Sequence, residues 1–280
     1  MTNNIDSKTV KSFGDEWSRF DQSNMSEQES KKIFEEYFSI FPWGSLPENP
    51  EGFDMGSGSG RWARWVAPKV KILNCIDPSD ALEISQKNLI KYSNIKYFKA
   101  SVDDDINLEG TQDFGYSLGV LHHIPNTQDA LTSCVKLLKP GAPFLVYLYY
   151  SFDNRSTFYR LTWKLSDIVR KCIFRLPPTL KHFITDLIAV FIYYPFTRIA
   201  RFFDLIKLES SNIPLSYYKN HSFYTMRTDA RDRFGTPLEQ RFSKHEIHNM
   251  MISAGLDNIL FSDHAPFWCA IGSKKITEMK

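Results

Sequence analysis

Phe53-Asp54-Met55-Gly56-Ser57-Gly58-Ser59-Gly60 is the stretch that decides the fold. A short apolar run ends in a carboxylate, and glycines at alternate positions then lead into Arg61 and Trp62. Glycine takes positive φ without steric cost and lets a ligand approach the backbone closely. The stretch therefore reads as a strand, a tight turn and the start of a helix, with main chain available to a small molecule. A P-loop would continue into Gly-Lys-Ser/Thr, and a dinucleotide turn would space its glycines G-x-G-x-x-G; here the spacing is G-x-G-x-G and no such lysine follows. A flexible Ser/Gly linker is the bland alternative.

Moving outward, the apolar run 72–76 ends at Asp77, followed by Pro78 and Ser79. A carboxylate at the end of a second strand, beside a switch point of the sheet, can accept hydrogen bonds from both hydroxyls of a ribose. Asp77 could also cap the next helix, which Ser79 or Asp80 could equally do. Further strands are expected at 95–100, 114–118 and 144–149, and two late ones at 259–261 and 268–271. Helices are expected at 61–66, 79–92, 127–138 and 244–254. This alternation predicts a doubly wound, mostly parallel seven-stranded α/β sheet. Ahead of it, Phe13, Trp17 and Phe20, then Ile33, Phe34, Tyr37 and Phe38, recur at helical spacing until Pro42, Pro47 and Pro50 break the pattern. The expected organisation is an N-terminal helical lid (1–50), an α/β core (51–150), a helical cap inserted after strand 5 (151–240) and the C-terminal part of the core (241–280).

In this order the motifs resemble those of the class I S-adenosylmethionine-dependent methyltransferases. The resemblance runs over 50–150: the first motif at 54–60, the acid at Asp77, the fourth-strand motif Asp113-Phe114-Gly115-Tyr116-Ser117-Leu118-Gly119-Val120-Leu121-His122-His123-Ile124, and the turn Leu137-Leu138-Lys139-Pro140-Gly141. It implies a Rossmann-like fold, S-adenosyl-L-methionine as cofactor and methyl transfer as the activity. It further implies that Gly56 and Gly58 lie against the methionine part of the cofactor, that Gly60 belongs to the same cofactor-binding loop, and that Asp54 orients the loop or holds the amino group. Asp77 would bind the ribose, Ser101 and Val102 would meet the adenine, and Gly119 and Val120 would pass under the sulfonium. Where many relatives have Gly-Asp-Ala after the third strand this chain has Ala100-Ser101-Val102, and a serine hydroxyl accepts more weakly than a carboxylate. Asp103 or Asp104 are candidates to replace it.

Methyl transfer from a sulfonium needs alignment and exclusion of water more than covalent catalysis. A hydroxyl or protonated amine acceptor also needs a base, and His122 and His123 at the end of the fourth strand are the candidates; the alternative is that they only pack. On the acceptor side the candidates are Trp17, Tyr218, His221, Tyr224, Arg227 and Arg241, because clustered guanidinium and phenol groups suit a carboxylate, phosphate or sugar. Surface Arg–Asp pairing is the bland reading of the same stretch. No His/Cys/Asp cluster has metal-ligand spacing, so no metal is expected.

The chain has 34 basic and 32 acidic residues, a net charge of +2, so only local charge can name a partner. Between 151 and 208 ten Lys or Arg face four Asp among many aromatic and aliphatic residues. Three readings stay open: peripheral membrane contact through 151–208, RNA as the less favoured partner, or a cap whose basic face is merely wet. The longest apolar stretch, 187–196, falls short of the roughly 20 residues of a bilayer-spanning helix. A polar start without a signal-peptide core, and four cysteines without C-x-x-C spacing, predict a cytoplasmic chain, at the membrane periphery if the cap meets lipid. The expected function is methylation of an oxygen or nitrogen of a small anionic or lipid-linked metabolite. RNA methylation and a non-catalytic scaffold that keeps the fold are the alternatives, and a homodimer stays open.

Overall fold

The computed structural model describes residues 4–20, 22, 25–210 and 213–276, so the first three residues of the polar start lie outside the described residues. The chain opens with helices α1 (Ser7–Arg19) and α2 (Glu27–Tyr37). Then follow β1 (Glu51–Met55), the short α3 (Ala63–Val66), β2 (Ile72–Ile76), α4 (Ala81–Asn88), β3 (Ile95–Phe98), β4 (Phe114–Leu118), α5 (Thr127–Leu137) and β5 (Pro143–Tyr147). Next come α6 (Thr157–Ile173), α7 (Pro178–Ile188), α8 (Tyr194–Leu205) and α9 (Phe223–Gly235), and the chain closes with α10 (Lys244–Ser253), β6 (Leu256–Phe261) and β7 (Cys269–Lys274). The chain forms two compact units, the described residues within 1–21, 30–151 and 238–280 making the first and those within 22–29 and 152–237 the second.

In the first unit the seven strands lie in the order β3-β2-β1-β4-β5-β7-β6, with β7 antiparallel to both neighbours and the others parallel. The order reverses between β1 and β4, which places a ligand crevice at the carboxyl ends of those two strands. Two glycines set their packing. Gly52 pairs with Phe114 and Phe53 with Gly115, and a Cβ on either glycine would run into the ring of its partner. One face of the sheet carries Phe53, Met55, Phe144 and Val146 against Leu131, Cys134 and Val135 of α5 and Ile247 and Met251 of α10. On the other, Phe38 and Phe41 meet Tyr116 and Phe114 edge-on, at 5.2 and 5.9 Å between ring centroids.

The second unit packs α6, α7 and α8 around α9 and the turn before it. Its apolar core is small, formed by Ile173, Ile188, Ala189, Tyr193, Met226, Ala230 and Phe234. Helices α7 and α8 are one continuous 28-residue helix, Pro178–Leu205, joined through a π turn at Ala189–Tyr193. Pro195 has no N–H to give to the preceding turn, and a widened turn is how a helix absorbs that without breaking.

Three expectations need correction. The 1–50 segment is no separate domain: its described residues are shared between both units, most of them in the first. The cap is shorter than 151–240, because Phe242 returns to bridge Tyr150 and bonds Tyr149 and Ser151, which returns 238–242 to the first unit. And the apolar stretch 187–196 is only the middle of a helix that by length and composition could cross a bilayer, with 33% of its most apolar window buried.

Candidate active site

The glycine turn is built by β2. The Gly56 N–H donates to the Ile76 carbonyl at 2.8 Å, and the Gly58 N–H donates to Asp77 Oδ2 at 2.8 Å. Asp77 Oδ1 accepts from the N–H and the hydroxyl of Ser79, at 2.8 and 2.6 Å. Asp77 thus does two of the things open to it: it ties the turn to the second strand and orders the start of α4. A carboxylate has room for about four hydrogen bonds, so ribose hydroxyls could add to the three it accepts. Burial raises its pKa, against the bonds from Ser79 and Gly58 that lower it.

Asp54, at the end of β1, is fully buried, and neither of its oxygens has a hydrogen-bond partner. Desolvation drives its pKa well up; Tyr116 pulls it back through its nearby hydroxyl, though the geometry falls short of a hydrogen bond, and the Asp77 charge raises it further. Ser59 Oγ in the turn is likewise buried without a partner. At the end of β4, Gly119 has φ +81°, and nothing lies within 4 Å of where its Cβ would be. An unpaired carboxylate and an open, Cβ-free approach at the switch point suit a small ligand with a cationic group.

Helix α1 roofs this site through one face, Thr9, Phe13 and Trp17 being four residues apart. The Trp17 indole sits over the turn, its Nε1 3.3 Å from where a Cβ on Gly58 would be. The Phe13 ring meets His123 edge-on at 5.0 Å. Thr9 Oγ1 accepts from the Leu238 N–H at 3.3 Å, and His123 Nδ1 donates to the Leu238 carbonyl at 2.6 Å. That carbonyl can only accept, so the neutral ring keeps its lone pair on Nε2, which is buried without a partner. His122 is different: fully buried, it stacks on Tyr149 at 3.9 Å and neither ring nitrogen has a partner. Desolvation first, then His123 and Arg241, push its pKa well down.

The acceptor-side candidates do not all stay available. Arg241 is nearly buried, donates to Glu239 at 2.8 Å and to the Tyr150 carbonyl at 3.2 Å, and lies 4.9 Å over the Tyr149 ring. It buttresses the His122 stack rather than waiting for a ligand. In the second unit, Arg227 grips Asp186 with two hydrogen bonds, at 3.0 and 2.9 Å, and the Tyr224 hydroxyl accepts from the Gln22 N–H at 3.0 Å. Tyr218 and His221 do come together there, with rings 6.0 Å apart; burial first, then Asp229, raises the Tyr218 pKa well up. At the residues expected to meet the adenine, the Val102 side chain packs into the core and Asp104 accepts from the Ser101 N–H at 2.7 Å. Asp103 holds Ser133 and the Asn4 N–H. Among the described residues no group of His, Cys, Asp and Glu could hold a metal ion. Sequence reading missed Thr9, Phe13 and Leu238; the four-residue spacing of Thr9, Phe13 and Trp17 was the available signal.

Residues 53–146 match the methyltransferase domain family. The chain is similar to a solved complex of the Haloferax volcanii Trm112 methyltransferase activator with a methyltransferase, at 12% identity over 94% of this chain and 98% of that one, with a TM-score of 0.52. It is similar to an O-methyltransferase family protein from Burkholderia thailandensis, at 13% identity over 88% of this chain and 56% of that one, with a TM-score of 0.52. No curated protein matches the chain. The seven-stranded, mostly parallel sheet with flanking helices is the class I methyltransferase fold. Residues 53–146 thus form a methyltransferase domain of the class I fold, with S-adenosylmethionine as the methyl donor.

Proposed function

We propose that the chain methylates an oxygen or nitrogen of a small anionic or lipid-linked acceptor, with His123 as the general base. The observation that carries this reading is the fixed tautomer of His123, whose Nδ1 is tied to the Leu238 carbonyl at 2.6 Å while Nε2 stays buried and unpaired. When bound, S-adenosylmethionine supplies an already activated methyl group. The protein then has to hold, orient and dehydrate. Asp54 would hold the amino group, its unpaired oxygens being matched to an ammonium. Asp77 would take the ribose hydroxyls while keeping the turn closed. Trp17 and Phe13 of α1 shut water out along the line from Gly58 to His123. Nε2 would accept the proton that a hydroxyl loses on attack, or that an ammonium must lose before its nitrogen can attack, and the Leu238 carbonyl would steady the imidazolium that results. His122, held neutral by burial, supports the ring beside it. The anionic or lipid-linked character of the acceptor is inferred from the excess of cations over 151–208.

The test is calorimetric titration with S-adenosylmethionine, followed by turnover with acidic, lipid-linked and RNA acceptors. His123→Ala should lower kcat by about 10²–10⁴-fold and leave cofactor affinity unchanged, while His122→Phe should keep most activity. Full activity in His123→Ala would remove the base assignment. Turnover on RNA alone would replace the acceptor class.

A further inference from the structure

The second unit reverses the usual distribution of polarity. Around α9 it buries charge: Arg231 is 1% exposed, and Arg170, 5% exposed, is held by Asp167 at 2.7 Å and by the Thr236 carbonyl at 2.9 Å. Lys181, His182, Thr185, Thr197, Thr225 and Thr228 are buried as well. Gly235 is where the Arg231 guanidinium fits, since a Cβ there would collide with it. Outside, most of the large hydrophobic side chains that the described residues expose lie in this same unit. On the long helix, Phe183 is 60% exposed, Phe191 71%, Phe202 57% and Leu205 75%. On α6, Leu161, Leu165, Ile168 and Val169 form a second exposed stripe at helical spacing.

Cations border both stripes. Arg160, Lys164, Lys171 and Arg175 flank the one on α6, and Arg201 and Lys207 flank the end of the other, all exposed. Of the exposed acids near the second stripe, Asp204 is answered by Lys219 at 2.7 Å and Glu209 lies past its end; on α6, Asp167 takes Lys171 at 3.0 Å. An aqueous protein partner would not require such a broad aliphatic and aromatic surface fringed mainly by cations, whereas an anionic bilayer supplies both an apolar layer and a negative surface. The long helix cannot be encircled by lipid, because Thr185, Ile188, Ala189, Tyr193, Thr197 and Ala200 bury its other side within the unit.

We propose that the second unit docks on an anionic lipid surface, with the exposed faces of α6 and of the Pro178–Leu205 helix lying in the headgroup plane rather than spanning the bilayer. The docking stands independently of methyl transfer: it needs no cofactor and no acceptor. The test is flotation of the full chain with vesicles of phosphatidylcholine and phosphatidylglycerol in equal parts, with phosphatidylcholine vesicles alone in parallel. The expected result is co-flotation with the anionic vesicles only, weakened by salt. Leu165→Glu and Phe191→Glu change exposed side chains, so the fold should hold by circular dichroism while flotation falls at least tenfold. Ile90→Glu, exposed in the first unit, should change nothing. A folded wild-type chain that stays at the bottom of the gradient overturns the proposal. So does flotation that survives both glutamates, or a concentration-dependent dimer that both glutamates dissolve in a chain indifferent to vesicles; the last outcome assigns the face to a second copy. Binding to RNA in place of vesicles overturns it as well. Cofactor titration reads the first unit alone and reports separately on the methyltransferase assignment.

Discussion

At the scale of single residues, the two carboxylates proposed to hold the cofactor differ in their surroundings. Asp54 is buried and unpaired, with its pKa driven well above the ordinary value, so the native chain holds its proton to higher pH than an unfolded chain does. The sign follows from linkage: the native state binds the extra proton, so this group costs stability as pH rises from the unfolded value near 3.8 through its raised folded value. A cationic ligand group reverses that by favouring the carboxylate. Cofactor affinity should therefore rise with pH across the Asp54 titration, with protons released on binding. Calorimetry in buffers of different ionisation enthalpy reads that release; wild-type binding without it, or Asp54→Asn with the same pH dependence, would overturn the assignment. Asp77 instead works before any ligand arrives. Asp77→Ala strips the buried Gly58 N–H of its acceptor and should lower the stability of the free protein by about 1–3 kcal/mol, as well as weaken cofactor binding. An unchanged melting curve would show that the turn closes without it. The position of Asp54 at the end of the first strand was legible in the sequence. The triple grip of Asp77 was not, because it depends on where the Gly58 amide points after folding.

Among the elements, the strands were readable because each is a short apolar run bounded by turn residues, and all seven fall where the pattern puts them, with ends shifted by a few residues. The tight exchange between β1 and β4 was not readable: Gly52 and Gly115 look like two ordinary glycines until the register sets each against a phenylalanine ring. Gly115→Ala should overpack that layer, costing about 1–3 kcal/mol, measurable as a lower denaturation midpoint at unchanged m-value. A neutral effect would mean that Phe53 can repack. The roofing role of α1 was half legible: Phe13 and Trp17 marked a helix face, but only the fold brings that face to Gly58 and His123. The helix of the second unit was misjudged because hydropathy was read over a run of residues. A helix averages over its faces instead, and Arg198 and Arg201 sit within the turns of a segment that is apolar as a whole.

For the whole molecule, the relevant fact is that each unit has its own core, aromatic and aliphatic under the sheet and small and polar-laced around α9. Ligand binding stabilises only what it touches and what unfolds together with it. At a cofactor concentration of about 100 times Kd, the stabilisation available is about 2.7 kcal/mol. In the first unit that gain should appear as slowed amide exchange at the glycine turn, at the ends of β2 and β4, and in α1, whose Trp17 and Phe13 border the site. In the second unit, α6 and the Pro178–Leu205 helix should exchange at their ligand-free rates, since no cofactor-binding residue assigned here lies in them. Hydrogen exchange read by mass spectrometry separates these segments. Equal protection of α6–α9 would mean that the two units open as one cooperative body, and the cofactor would then report on the lipid-docking face as well. Protection confined to the turn, with α1 unaffected, would instead remove Trp17 and Phe13 from the binding site and leave α1 a packing element.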